Sequence, residues 1–519
     1  LEAVSGTRTF AIAGFLVIAW VAWARVPQAE KMADAFGGDE PKYLRIAYSL
    51  LRDTDTDIGS GRTATPDAAT RWQQVRSLVL TTRDAAAGLF SPPPVPADHP
   101  WNAGNWTVRG LDGGLYHLQP PGLPAIVAVA LGIGEALLPE RDPGLYVFGL
   151  LVIVWTLAAR ELWLLAVETS RDETVAALVV TIVFASAPVF VGGYQLFPES
   201  LSLLLFPWLL RRVGASERAL GAGSAIATGF AAGYLLWIHP KLTVVALFFA
   251  FLALVRPNTP GRSRALFFVA FSVTVFLALL YCYRISGLFR PEGLYIRQAE
   301  EYVGSPNPLS LRYAAGLIKG LVGGRDGLFL FAPVLALGFL APPRLALWSR
   351  PLVEFSALFV VVWLTSAVHD GASLGSPARL MEPVVFAPAL VLARALRDDE
   401  GCTSKLRAAA LMLFAFGCLV TNTMNSDWRR NVNPYKGMFA MPELNFEPDL
   451  PGNSFAEAAW AEDLEKALGI FVFALVAGAA LRRRESLEGD PWTPAWFGVS
   501  TCAWIAGLAW CLHALSPPV

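Results

Sequence analysis

Two adjacent carboxylates, Asp39 and Glu40, stand in the stretch Phe36-Gly-Gly-Asp-Glu-Pro-Lys-Tyr-Leu-Arg-Ile-Ala-Tyr-Ser-Leu-Leu51. The glycine pair ahead of them lets the backbone turn freely. Pro41 suits the first turn of a helix, where a missing N–H costs nothing. Asp39 falls at or beside the N-cap, so its oxygens either cap the helix or face outward as a proton acceptor. Leu44, Ala47, Leu50 and Leu51 then recur at helical spacing, with Lys42, Arg45 and Arg52 off the stripe. The pattern predicts an amphipathic helix on a membrane face, headed by a carboxylate pair that either caps or catalyses.

Four other segments carry groups of the same kind. Tyr116-His-Leu-Gln-Pro-Pro-Gly-Leu-Pro124 offers His117, either a site residue or an ordinary interfacial histidine. Tyr194-Gln-Leu-Phe-Pro-Glu199 ends on a carboxylate that either serves a site or is simply solvated. Trp237-Ile-His-Pro-Lys241 supplies His239 and Lys241, and His369-Asp-Gly-Ala-Ser-Leu-Gly-Ser-Pro-Ala-Arg379 ends on a guanidinium able to grip phosphate through two bonds. Asp53-Thr-Asp-Thr-Asp57 imitates the start of a calcium loop but lacks the following Gly and the terminal Glu, and reads as the polar exit of the first helix. Walker loops, dinucleotide-type glycine fingerprints and zinc-type Cys/His spacings do not occur, which argues against a nucleotide-sugar donor.

These groups must be positioned by membrane helices. The 519 residues are 55% hydrophobic and only 16% charged, with 17 Trp, and the mean hydropathy is +0.47. Such a chain suits many water–lipid boundaries. A net charge of -1 argues against nucleic acid as a partner. The five cysteines lie in or beside apolar segments without paired spacing, as small core residues. Phe10–Ala24 reads as a retained signal-anchor helix. Further apolar runs fall near 143–160, 174–192, 198–211, 221–238, 241–256, 265–283, 326–343, 352–368, 380–396, 406–424, 466–481 and 494–514, giving about thirteen spans. The expected fold is therefore all-α and polytopic, one transmembrane domain over 1–519 without an evident two-fold repeat.

The run Pro121–Leu138 decides the topology. If it lies in the interface, six Arg-bearing loops share one side with Arg8, and the positive-inside rule makes that side cytoplasmic. Pro121–Leu138 is accordingly expected to be juxtamembrane or re-entrant. Residues 26–142 then form one long extracytoplasmic loop, with a second amphipathic helix near 67–90, and 284–325 and 425–465 are the other outer segments. Lys241 falls on the non-cytoplasmic end of its span, against the charge bias, where it either faces a ligand or snorkels toward headgroups.

Asp39-Glu-Pro-Lys-Tyr43 after a first membrane helix resembles the signature of GT-C membrane glycosyltransferases, a class that includes lipid A aminoarabinose transferases and protein O-mannosyltransferases. The segments ending at Glu199, Lys241 and Arg379, with Gly323-Gly-Arg-Asp-Gly-Leu-Phe-Leu-Phe-Ala-Pro333, resemble that class in order and spacing over most of residues 10–400. The family's Lys or His before Pro-Pro is replaced here by Gln119. The resemblance implies an inverting glycosyltransferase on the outer face of a bacterial plasma membrane. It would take its sugar from a polyprenyl-phosphate donor to a hydroxyl on a glycan, lipid or protein. Asp39 would be the general base, and Lys42, Lys241 and Arg379 would neutralise the departing phosphate. Glu40 and Glu199 would orient the acceptor or, with Asp39, hold a divalent cation if one is used; Tyr43, His117 and His239 would complete the binding surface. A non-catalytic membrane protein of the same fold, a lipid-linked-sugar transporter or a scaffold subunit, is the alternative that Gln119 favours.

Overall fold

The structure, a computed structural model, describes residues 40–52, 55–58, 107–138, 143–185, 196–214, 220–256, 259–299, 328–332, 334–336, 350–366 and 379–397, with a few single positions among the rest. Asp39, the segments 10–24, 67–90 and 425–465, and the last two expected spans lie outside the described residues.

Helix α1 spans Glu40–Arg52, beginning directly after Asp39, with Pro41 in its first turn. Its buried face is Tyr43, Ile46, Ala47 and Ser49, while Leu44, Leu50 and Leu51 are only half-buried. The core-facing stripe is thus rotated from the Leu44–Leu51 stripe that hydrophobicity alone suggests. The cause is tertiary: α1 packs along a second helix, α2 (Gly122–Leu137), so part of the leucine row is left at the margin. Past α1 the chain turns on its aspartates. Asp55 Oδ1 accepts from Ser49 Oγ at 2.9 Å and from the Asp57 amide at 3.0 Å, and Asp57 Oδ1 accepts from the Leu115 amide at 2.8 Å.

That last bond reaches a β-hairpin, which departs from the expected all-α fold. Strands β1 (Thr107–Arg109) and β2 (Leu115–His117) pair antiparallel, Thr107 opposite His117. The turn between them puts Gly113 at φ +82°, a conformation that favours glycine, and Asp112 Oδ1 accepts from the Gly114 amide at 3.1 Å. The hairpin's apolar side, with Val108, Tyr116 and Leu118, packs on Ile285 and Leu294 in a small core of its own.

The helical core follows: α3 (Pro143–Ser170), α4 (Glu173–Ala185), α5 (Pro198–Leu209) running into a π turn at Leu210–Gly214, and α6 (Ala222–Ile238). After a 3₁₀ turn at Pro240–Leu242 come α7 (Thr243–Val255), α8 (Gly261–Ser286) and the short α9 (Gly293–Ala299). A helical turn at Leu328–Phe331, α10 (Arg350–Ser366), a 3₁₀ segment at Arg379–Val384 and α11 (Phe386–Arg397) complete it. Tyr146–Ser170 and Gly261–Ser286 are long and apolar enough to cross a membrane. At 16 residues, α2 is roughly 24 Å long, against roughly 30 Å of hydrocarbon.

Helices α6 and α8 make the most extensive contact. Ala225, Gly229 and Gly233 repeat every four residues along α6, and a β-carbon at Gly233 would lie 2.8 Å from Thr274 Cβ on α8. Small residues at this period let two backbones approach closely where lipid offers no hydrophobic drive between helices. Outward faces stay apolar: Leu247, Phe251 and Leu254 on α7, and Val269, Val273 and Phe276 on α8, are exposed. At the end of α5 away from Glu199, Arg211 pairs with buried Glu161 and, at 3.2 Å, with Glu168 of α3.

Candidate functional site

The start of α5 and the end of α6 bring two of the expected residues into contact. Phe197 is extended, Pro198 opens α5, and Glu199 in the first turn is completely buried. A negative charge there is favoured by the helix dipole. On the other side, His239 leaves α6 in an extended conformation, and its Nδ1 accepts from the Lys241 amide at 3.2 Å. This cap fixes the 3₁₀ turn Pro240–Leu242, which aims Lys241 at α5. The Lys241 ammonium forms an ion pair with Glu199 Oε1. The Tyr295 hydroxyl, 3.4 Å from His239 Nε2, ties the turn to α9.

A cavity of about 20 Å³ opens beside this pair, room for about one water molecule. Its polar lining is Glu199, Ser202, Lys241, Thr365 and Ser366, over apolar side chains such as Phe206 and Val362. The three hydroxyls donate to carbonyls of their own helices, Ser202 to Pro198 at 2.8 Å, Thr365 to Val361 at 3.0 Å and Ser366 to Trp363 at 2.8 Å. Their oxygens therefore remain as acceptors. Leu380 and Pro383 close the cavity from the 3₁₀ segment that Arg379 begins. The Arg379 and Glu40 side chains lie outside the described residues.

Lys42, Tyr43 and His117 stand apart from the cavity lining. Tyr43, expected to meet a ligand, is 1% exposed and belongs to the main core, because α2 covers that face of α1. Lys42 is half-buried. His117 is buried at the end of β2. The corner after it, however, reaches the Lys241 turn. Pro120 and Pro121 lead into Gly122, where a β-carbon would overlap the Trp237 carbonyl, and the Tyr234 hydroxyl donates to the Gly122 carbonyl at 2.8 Å. Trp237 is two residues before His239. The segments 117–122, 196–199 and 237–241 thus meet at one end of the bundle.

Among residues not anticipated from sequence, Glu382 is 1% exposed in the 3₁₀ segment that packs on α5. An Arg-Leu-Met-Glu-Pro turn after a span was the available signal. Ser202, Thr365 and Ser366 gave none, since hydroxyls on apolar helices are common. Among the described residues no three His, Cys, Asp or Glu side chains cluster as a metal would require. Of the three carboxylates that could hold a divalent ion, Glu199 is paired with Lys241, and the Asp39 and Glu40 side chains lie outside the described residues.

No protein-family model matches the chain, and no curated protein matches it. Among solved structures the chain is similar to ArnT from Cupriavidus metallidurans, both bound to undecaprenyl phosphate and in the apo state. Each match has 13% sequence identity and a TM-score of 0.47, covering 99% of this chain and 76% of the ArnT chain. The likeness runs over nearly the whole chain.

Proposed function

We propose that this chain is a GT-C-type membrane glycosyltransferase that moves a sugar from a polyprenyl-phosphate donor to an extracytoplasmic hydroxyl. The observation that carries the reading is the meeting of three separate motif segments at one end of the bundle, through the Gly122–Trp237 contact and the Lys241–Glu199 pair. Charged groups at a membrane boundary are costly unless they face water, a partner or a ligand. Here a lysine and a buried glutamate face one another and a polar-lined cavity.

In this reading Asp39, immediately ahead of α1, takes the proton of the acceptor hydroxyl as that oxygen attacks the anomeric carbon. The bond from the sugar to the lipid phosphate breaks with inversion. Lys241, with Lys42 and Arg379, offsets the charge of the departing phosphate in a site sheltered from water. Glu199 holds Lys241 in place, and Glu40 and Glu199 orient the acceptor. The distribution of arginine-bearing loops, and the short length of α2, support an extracytoplasmic site and a multi-pass inner-membrane location.

A second reading, a non-catalytic transporter or scaffold subunit, draws on the same pair, because Glu199 already compensates the Lys241 charge. Purified protein in nanodiscs with radiolabelled polyprenyl-phosphate sugars separates the two. Transfer of label to an acceptor fraction, lost in Asp39→Asn, supports the enzyme. Donor binding without any transfer across a broad acceptor panel supports the transporter or scaffold.

A further inference from the structure

The end of the bundle opposite the Lys241 turn carries a group of arginines that the proposed reaction leaves unused. Helix α7 begins just after the Lys241 turn and runs 13 residues, roughly 20 Å, to Val255. Arg256, next in the chain and 3% exposed, serves there as a strut. Its Nη1 donates to the Arg212 carbonyl, and its own carbonyl accepts from Arg264 Nη2 at 3.0 Å. These bonds tie the π turn, the end of α7 and the first turn of α8 together.

Three guanidinium groups near this strut, Arg212, Arg262 and Arg264, have no carboxylate within ion-pair distance among the described residues. Arg350, on the neighbouring α10, is by contrast paired with Glu354 at 2.7 Å. Arg212 and Arg262 are exposed, with the Arg212 guanidinium against the Trp208 ring. Arg264 is half-buried, and its Nε is enclosed with no hydrogen-bond partner among the described residues. A guanidinium carries donors only, so what these three lack is an anion with oxygen acceptors.

The apolar faces beneath them say what brings that anion. Arg262 heads the exposed side of α8, where Val269, Val273 and Phe276 follow at helical spacing. Val273 lies roughly 16 Å along the axis from Arg262, about half of the roughly 30 Å of hydrocarbon. On α7, which packs on α8, Leu247, Phe251 and Leu254 form a second exposed row that stops just short of Arg256. Two apolar rows topped by free cations match a charged headgroup with two acyl chains. A soluble anion would leave both rows uncovered.

We infer that Arg212, Arg262 and Arg264 bind the phosphate of an anionic phospholipid, whose acyl chains lie along α7 and α8. This site is separate from the Lys241 cavity and does not depend on the proposed function.

Full-length protein in detergent, titrated with phosphatidylglycerol, phosphatidylcholine or soluble glycerol phosphate, tests it, with bound molecules counted by native mass spectrometry. Phosphatidylglycerol is retained in preference to phosphatidylcholine, and glycerol phosphate does not displace it. The double variant Arg212→Gln/Arg262→Gln binds phosphatidylglycerol about 25-fold more weakly, about 5-fold for each arginine, and phosphatidylcholine unchanged. Arg290→Gln, the same charge change past the opposite end of α8, leaves both lipids unaffected. Arg262→Gln alone removes an exposed side chain, so it keeps the unfolding temperature and still costs about 5-fold. Equal retention of the two lipids, an equal loss in Arg290→Gln, or unchanged phosphatidylglycerol affinity in Arg262→Gln would overturn the assignment. Glycerol phosphate binding as tightly as the lipid would also overturn it, leaving a soluble phosphate in its place.

Discussion

Gly122 and Trp237 touch so closely that a β-carbon on residue 122 would lie 2.8 Å from the Trp237 Cβ and overlap its carbonyl. The contact joins α2 to the end of α6, so it sets the distance between the proline corner and the Lys241 turn. Gly122→Ala forces one backbone away from the other. It is expected to destabilise the protein by about 1–3 kcal/mol and to reduce ligand binding. Thermal unfolding in detergent, followed by nanodisc binding on the surviving fold, measures both. An alanine variant of parental stability and affinity would show that the two elements are not held by this approach.

The Lys241–Glu199 pair makes an asymmetric prediction. Lys241→Met leaves a completely buried carboxylate without its cation, at a cost of about 3–5 kcal/mol. Glu199→Gln keeps the shape and removes the charge, and is expected to be the milder change. The double variant should recover most of the stability lost in Lys241→Met but none of the activity. A double-mutant cycle on unfolding temperature reads the coupling; strict additivity would mean that the two side chains do not act as a pair.

Asp39 divides capping from catalysis. Asn is almost as good an N-cap as Asp, but it has no carboxylate to take a proton. Asp39→Asn should keep stability within about 1 kcal/mol and reduce sugar transfer by about 10²–10⁴-fold. Glu40→Gln should cost less. Parental transfer rates in the Asn variant would remove Asp39 as the base.

Alkaline pH should loosen the hairpin. Burial, and secondarily the Asp112 carboxylate that accepts its hydroxyl at 2.7 Å, raise the Tyr116 pKa well above its ordinary 10.0. Below pH 10.0 this tyrosine is neutral in both folded and unfolded chains, and the contribution is intact. Above it the unfolded chain releases a proton that the folded chain keeps, so stability falls by up to about 1.4 kcal/mol per pH unit. The unfolding temperature of Tyr116→Phe should therefore decline less steeply than the parent's between about pH 9 and about pH 11. Identical slopes would place the proton elsewhere.

Much of the helical architecture was legible because spans announce themselves by composition. The runs near 221–238 and 352–368 are found as Ala222–Ile238 and Arg350–Ser366, while 143–160 extends to Ser170 and 265–283 to Gly261–Ser286. Arginines and small residues continue a helix past its apolar stretch, and a hydropathy window stops too soon. The hairpin was missed although Thr-Val-Arg and Leu-Tyr-His flank Gly110-Leu-Asp-Gly-Gly114, a turn-rich loop with a mechanism. Three-residue strands carry too little alternation to stand out in a helical chain. At the site, the suspicion attached to Lys241 rested on its side of the membrane, and its partner Glu199 was named separately. That they pair depends on a crossing of α5 and the 3₁₀ turn, long-range information that neither motif contains. The burial of Tyr43 shows the same limit: proximity in sequence to a carboxylate says nothing about which face α2 covers.

Helix α5 is pinned twice, near its start by Lys241 and just past its end by Glu161 and Glu168. Sliding it along its axis by one turn, about 5.4 Å, would break both clamps together, and rolling it would do the same. The π turn at Leu210–Gly214 contains one residue more per turn than an α-helix, and Arg211 gets its bearing from that extra residue. Excising a single residue there would swing everything beyond it by about 100° and unhook the far clamp while leaving Glu199 in place. Mechanically α5 is thus a fixed strut, and any movement that widens the cavity beside Glu199 has to come from its neighbours.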